Sequence, residues 1–154
     1  MTPEPDWETG KGLLGLDDPG EWDAAFERGE QRLGTAVIGL AFNCTLAEAS
    51  PRIVRAMRLP DLAQRGFAFT AAGAAARING RLTPELYAAL RAEGPKSIAE
   101  YAIKDTLTFV PFRQLPPWFK WWKVVSGVRN KLESWWLRSA ESVEDAWRAL
   151  RRRH

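Results

Sequence analysis

Slid along itself by 33 residues, the chain meets its own pattern. Gln31 and Arg32 fall on Gln64 and Arg65, Ala41 on Ala74, and Ser50-Pro51 on Thr83-Pro84. Past those prolines, Ile53, Val54, Ala56, Met57 and Arg58 fall on Leu86, Tyr87, Ala89, Leu90 and Arg91. A constant offset in the thirties, carried by apolar residues at helical spacing, is the signature of stacked helical hairpins. A single hairpin cannot bury its apolar face alone, so such units are stacked, about three at the least. The repeat therefore predicts an all-α fold: two to three helical hairpins arranged as a short α-solenoid.

The second copy, residues 59–90, is the clearer one. Pro60 bars a helix from running through it. Asp61 and Gln64 stand at capping-box spacing and start a helix there. Leu62, Phe69, Ala72, Ala76 and Ile78 recur at helical intervals, and the glycines and alanines between them allow a neighbouring helix close approach. Asn79-Gly80 stops this helix with residues that tolerate the left-handed conformation. Thr83-Pro84 starts the next one with a cap and a proline at the first helical position, and Leu86, Tyr87 and Leu90 give it an apolar face. In the first copy, residues 33–44 form an apolar run whose length suits a buried helix better than a strand. Ser50-Pro51 then reads as the start of a helix with Ile53, Val54 and Met57 on its face.

The flanks follow the same chemistry. Residues 1–20 read as an extended or partly disordered arm anchored by Trp7, Leu13, Leu14 and Leu16. Asp18-Pro19 opens a helix whose inner face holds Trp22, Ala25, Phe26 and Gly29. Ser97 and Glu100 form a capping box that opens a further helix with Ile98, Tyr101, Ala102, Asp105 and Phe109. Pro111, Pro116 and Pro117 then end the pattern. In residues 117–138, Trp118, Trp121, Trp122, Val125, Val128, Leu132, Trp135 and Trp136 recur at three- and four-residue steps. They predict an amphipathic helix of roughly 20 residues, about 30 Å long, interrupted at some cost by Gly127. This Trp-rich helix is expected to cap the stack. Ser142 and Asp145 predict a last helix with Val143, Ala146, Trp147 and Leu150, and Arg151 to Arg153 suit the negative end of its dipole. The total is seven or eight helices in a single domain: arm 1–20, helical repeats 21–110, and a basic Trp-rich end 111–154.

Pro60-Asp61, Arg65, Ala68, Ala72-Gly73 and Ala75-Ala76 resemble the first-helix pattern of the HEAT family. In that pattern a Pro/Asp turn leads into a Val-Arg pair, small residues and a Leu-Gly pair. Here Gln64 stands for the valine and Ala72 for the leucine. Residues 21–110 are in this way similar to short HEAT-like proteins of actinobacteria. The resemblance implies a scaffold or binding role, and it implies that Arg65 bonds across the turn to an acidic neighbour.

Charge is polarised along the chain. Residues 1–35 carry nine acidic and three basic side chains, whereas residues 113–154 carry four acidic and ten basic. Opposite ends of this kind attract each other within one chain, between copies in a homo-oligomer, or meet partners of opposite sign. Two candidate surfaces follow. One is the Trp/Lys stretch, Trp118, Lys120, Trp121, Trp122 and Lys123, because tryptophan is enriched in binding hot spots and at lipid interfaces. The other is the acidic face of Asp17, Asp18, Glu21, Asp23 and Glu27, suited to a basic protein.

Signs of catalysis are scarce. The only histidine is His154, the final residue, and no nucleotide-binding glycine motif is present. Cys44 lies in an apolar run, where a thiol is expected to be inert. One cysteine excludes an internal disulfide and a cysteine-based zinc site. Residues 1–18 are acidic and rich in proline and glycine, unlike a secretory signal. An arginine- and alanine-rich composition points to a GC-rich bacterial genome. The sequence therefore reads as a cytoplasmic, non-enzymatic protein-binding module, an adaptor or an inhibitor of the immunity type, needing no cofactor or metal. The alternative is peripheral binding to a membrane surface or nucleic acid through the Trp/Lys/Arg-rich end.

Overall fold

The computed structural model describes the backbone of residues 4–151 and the side chains of residues 4–139. The described residues form seven α-helices and no strand: α1 (Pro19–Arg28), α2 (Leu33–Asn43), α3 (Leu46–Ala56), α4 (Leu62–Asn79), α5 (Pro84–Glu93), α6 (Glu100–Phe109) and α7 (Pro117–Arg151). Two short 3-10 turns, Leu13–Gly15 and Phe112–Gln114, lie outside them. The contacts group the chain into two compact units, Met1–Pro116 and Pro117–His154.

In the first unit the helices pack in two series. α2 lies on α4 and α4 on α6, while α1 lies on α3 and α3 on α5; α2 and α3, and α3 and α4, join the series. The central α4 has neighbours on several sides, which is why it is built from small residues. Ala68, Phe69, Ala71, Ala72, Gly73, Ala75 and Ala76 are all buried and cover more than half of its circumference. Neighbouring helices contribute the bulk that α4 lacks: Trp22, Val37, Leu40, Ile53, Leu86, Leu90 and Ile103 are fully enclosed. Leu62 and Ile78, at the two ends of α4, are exposed rather than on the core face.

The start of α2 is held by other elements. Arg32 at its N-cap position makes no side-chain cap bond. Instead the Gln64 side-chain carbonyl, on α4, accepts from the Thr35 amide at 3.0 Å. The Asp61 carboxylate caps α4 as its spacing predicts, accepting from the Gln64 amide at 2.8 Å. The second half of the expected capping box is absent, because the Gln64 side chain is engaged on α2. From α1, the Trp22 indole N–H donates to the Leu33 carbonyl at 3.1 Å.

Several sequence expectations are corrected here. Residues 4–16 are not an extended arm: they fold into turns, bury Leu13 and Leu16, and meet α2 through Leu13–Gly15 and α1 through Trp7. Asn43 fixes them by donating its amide to the Leu14 and Leu16 carbonyls at 3.1 and 3.3 Å. Leu14, expected as an anchor, points outward. α3 begins at Leu46, not at Ser50-Pro51, because Thr45 and Glu48 form a full capping box one turn earlier. Pro51 then lies inside the helix, where the carbonyl deprived of a donor belongs to the exposed residue Ala47 and is open to water. The Thr45 hydroxyl and amide hold the Glu48 carboxyl below its ordinary range. A lowered carboxyl favours folding above the unfolded pKa, so this cap weakens as pH falls through the folded value.

At α6 the Ser97 hydroxyl donates to the Gly94 carbonyl at 2.7 Å and accepts from the Ala99 amide at 3.1 Å, closing a turn rather than a capping box. The helix then turns Ala102, Ile103 and Thr106 inward and leaves Tyr101 and Phe109 exposed. Gly73 sets that orientation, since a β-carbon there would lie 3.4 Å from the Ala102 α-carbon and 2.8 Å from the Asp105 carboxylate. Arg65 has no carboxylate partner among the described residues, and its Nε is buried without a hydrogen bond. Cross-helix pairing falls elsewhere: Arg77 meets Asp105 at 3.1 Å, tying α4 to α6.

The second unit is a single helix. α7 runs unbroken through Ser142, where a new helix was expected to start. Residues 138–142 contain no glycine or proline to end it, and a serine with an acidic residue three positions on caps only a helix that the chain has already interrupted. The expected face of Val143, Ala146, Trp147 and Leu150, and the side chains of Arg151 to Arg153, lie outside the described residues.

Candidate functional site

At 35 residues α7 is about 52 Å long, roughly twice the length of α4. At 100° per residue, Trp118, Trp121, Trp122, Val125, Val128, Leu132, Trp135 and Trp136 share less than half of its circumference. Lys120, Lys131 and Arg138 flank one edge of this arc, Lys123 lies opposite it, and Arg129 falls within it near the other edge. Glu133 is the only acid among residues 117–139; it sits at the border and pairs with Arg129 at 3.8 Å.

The apolar arc is open. Trp121 is 58% exposed, Leu132 56%, Trp135 66% and Trp136 72%. Toward the start of the helix the indoles lean on one another: Trp118 and Trp122 stack with ring centres 6.2 Å apart, and Trp121 meets Trp122 at 6.1 Å. Five indoles on one helical face, three of them mostly in solvent, make an apolar surface far larger than isolated surface residues produce.

The acidic candidates occupy the other unit and are largely engaged by their own chain. Asp18 caps α1 by accepting from the Gly20 amide at 2.8 Å. Glu21 accepts from the Trp7 indole at 3.0 Å and from Arg28 at 2.9 Å. Asp23 accepts from Arg52, whose Nε also donates to the Pro19 carbonyl at 3.2 Å. Glu27 meets Arg55 at 3.5 Å, and the Arg55 guanidinium also sits 3.9 Å over the Phe26 ring. Asp17 lends its backbone carbonyl to the Cys44 thiol at 3.4 Å. Trp7, Asp17, Asp18, Glu21 and Arg28 line an open cleft of about 470 Å³. These residues knit α1 to its neighbours: three of the five candidate carboxylates, Glu21, Asp23 and Glu27, are paired with arginines.

Burial, with the Glu48 and Asp17 carboxylates nearby, pushes the Cys44 thiol above its ordinary range. Alkylation of Cys44 by iodoacetamide is therefore expected to run several-fold slower than that of a small free thiol at pH 8, with the rate still rising above pH 9. A rate equal to the free thiol's would show an open, activated cysteine instead. Among the described residues no group of three histidines, cysteines or carboxylates is placed to hold a metal ion. No described helix is long and apolar enough to cross a membrane. No protein family, no curated protein and no solved structure matches the chain.

Two features of this arrangement were beyond sequence reading. The tryptophan spacing located the apolar face but not its exposure. The arginines that neutralise the acidic face are mostly not local to it: Arg52 and Arg55 lie on α3, nearly thirty residues away along the chain.

Proposed function

We propose that the protein is a non-enzymatic binding module whose interaction surface is the apolar face of α7. In this reading the first unit is a support, a short HEAT-like stack of helical hairpins. The alternating order of its contacts, α1–α3–α5 and α2–α4–α6, is what supports that description. The two copies of the repeat fall on α2 with α3 and on α4 with α5, whose starts lie 29 and 38 residues apart.

The observation that carries the functional reading is the exposure of Trp121, Leu132, Trp135 and Trp136 on one face. Exposed indoles on a rigid element supply large contact area at little entropic cost, as in binding hot spots. The acidic face is the weaker candidate because Glu21, Asp23 and Glu27, three of its five carboxylates, already have arginine partners. The half-buried lone thiol fits a reducing, cytoplasmic setting.

The test is retention of full-length protein on the particulate and soluble fractions of a bacterial lysate, compared with the triple variant Trp121→Ala, Trp135→Ala, Trp136→Ala. Loss of retention in the variant, with thermal unfolding of the first unit unchanged, supports α7 as the surface. Equal retention would move the interaction to another part of the molecule.

A further inference from the structure

Building on the reading of α7 as the interaction surface, we propose that its partner is an anionic lipid bilayer, on which the helix lies in the plane of the headgroups. Trp121, Val128, Leu132 and Trp135 face the acyl chains, and Lys120, Lys131 and Arg138 reach the lipid phosphates from the flank.

An interfacial helix has a wide apolar arc with tryptophan and leucine, a cationic polar face, and low overall hydropathy. α7 has all three, with five cations and one acid among residues 117–139. Lysine and arginine stems beside an apolar arc snorkel, keeping their charge at the headgroups while their methylenes cover apolar surface. Negative lipid phosphates complement the cations, and indoles prefer the headgroup boundary. Since no described helix is apolar enough to cross a bilayer, the helix lies on it and does not span it.

Other occupants fit less well. Trp118, Trp121, Val125, Val128, Leu132 and Trp135 also follow three- and four-residue spacing, as in a coiled coil with a second copy. Yet half of those seam positions are tryptophan, too large for knobs-into-holes packing. Trp122, Val124 and Trp136 widen the apolar arc beyond a seam. Two copies would also bring like charges together. Single-stranded nucleic acid requires aromatic residues and cations on one face, so that bases stack while phosphates are contacted. In α7 only Arg129 shares the arc of the indoles, and the other four cations of residues 117–139 lie outside it.

The experiment is co-sedimentation of full-length protein with vesicles of phosphatidylcholine, alone or with phosphatidylglycerol added. Insertion is read by quenching of indole fluorescence with brominated acyl chains. Binding is expected on the anionic vesicles, weakening with added salt. The double variant Trp135→Ala, Trp136→Ala should lower partitioning by more than about tenfold. Lys120→Glu and Lys131→Glu should each lower it by about fivefold or more on anionic vesicles. Phe42→Ala, which removes an exposed aromatic from α2, should leave it unchanged.

The variants change exposed residues, and alanine is the better helix former, so helix content should be kept. Equal binding to both vesicle types, or tighter binding to polyuridylate than to anionic vesicles, would overturn the proposal. Absence of vesicle binding together with α7-dependent self-association in sedimentation velocity would overturn the lipid partner while keeping α7 as the surface. If α7 variants altered neither vesicle binding, self-association nor lysate retention, both readings would fall.

Discussion

Gly34→Ala is expected to destabilise the first unit by about 3 kcal/mol or more, the upper end of what overpacking a core costs. A β-carbon at residue 34 would lie 1.9 Å from the Gln64 carbonyl oxygen and 2.8 Å from its α-carbon. Both are backbone atoms, so no rotamer change relieves the clash. α2 and α4 must move apart. That movement also draws the Gln64 side chain away from the Thr35 amide it caps, leaving an orphan donor at the start of α2. Gly66→Ala is the matched control, because there the nearest atom is a methyl of Ile98 at 3.6 Å. At that helical site alanine removes backbone freedom from the unfolded chain and should stabilise by up to about 1 kcal/mol. Urea titration of both variants reads the difference. A Gly34→Ala protein within about 0.5 kcal/mol of the parent would mean that the two helices do not approach this closely.

Trp22→Ala should cost about 3–5 kcal/mol, the range for deleting a large buried aromatic. Trp22 is wholly enclosed, its ring centre lies 5.5 Å from that of Phe26, and its indole N–H reaches the Leu33 carbonyl across to α2. Trp22→Phe separates the contributions. It keeps most of the apolar contact and removes the hydrogen bond, for an expected cost of about 1–2 kcal/mol. The ordering Ala worse than Phe, measured by denaturation midpoint at constant slope, supports Trp22 as the anchor of α1 on α2. If the two variants cost the same, the hydrogen bond rather than packing would dominate. Gly34 and Trp22 both act at the start of α2, so the double variant is expected to be less than additive.

The helices announced by strong local chemistry were legible without the structure. Asp18-Pro19, Asp61 and Thr83-Pro84 start α1, α4 and α5 where their caps predict. Gly80 closes α4 in the left-handed conformation as Asn79-Gly80 predicts, whereas Gly29, expected on the inner face of α1, ends that helix instead. Even the offset of 33 has a physical counterpart, because Ser50 and Thr83 share a hydrogen bond between their hydroxyls. The start of α3 was misread because two start signals lie five residues apart, and the capping box at Thr45 prevailed over Ser50-Pro51. The inward face of α6 was misread by one position, since Tyr101 and Ile103 are both apolar enough for a core.

For the candidate site, residue identity and spacing gave the apolar arc and the cationic side of α7. They also gave the acidic character of the N-terminal third.

What the sequence determined alone is local: helix caps, glycine stops, small-residue stretches and amphipathic period, each fixed by groups within a few residues of one another. Tertiary structure decided what depends on distant partners. It chose which face of α6 meets Gly73, redirected Gln64 from its own cap to Thr35, and docked residues 4–16 on α2. It also paired Asp23 and Glu27 with arginines on α3. The reason is that a cap is complete within one turn of backbone, whereas burial and ion pairing exist only once another part of the chain has arrived.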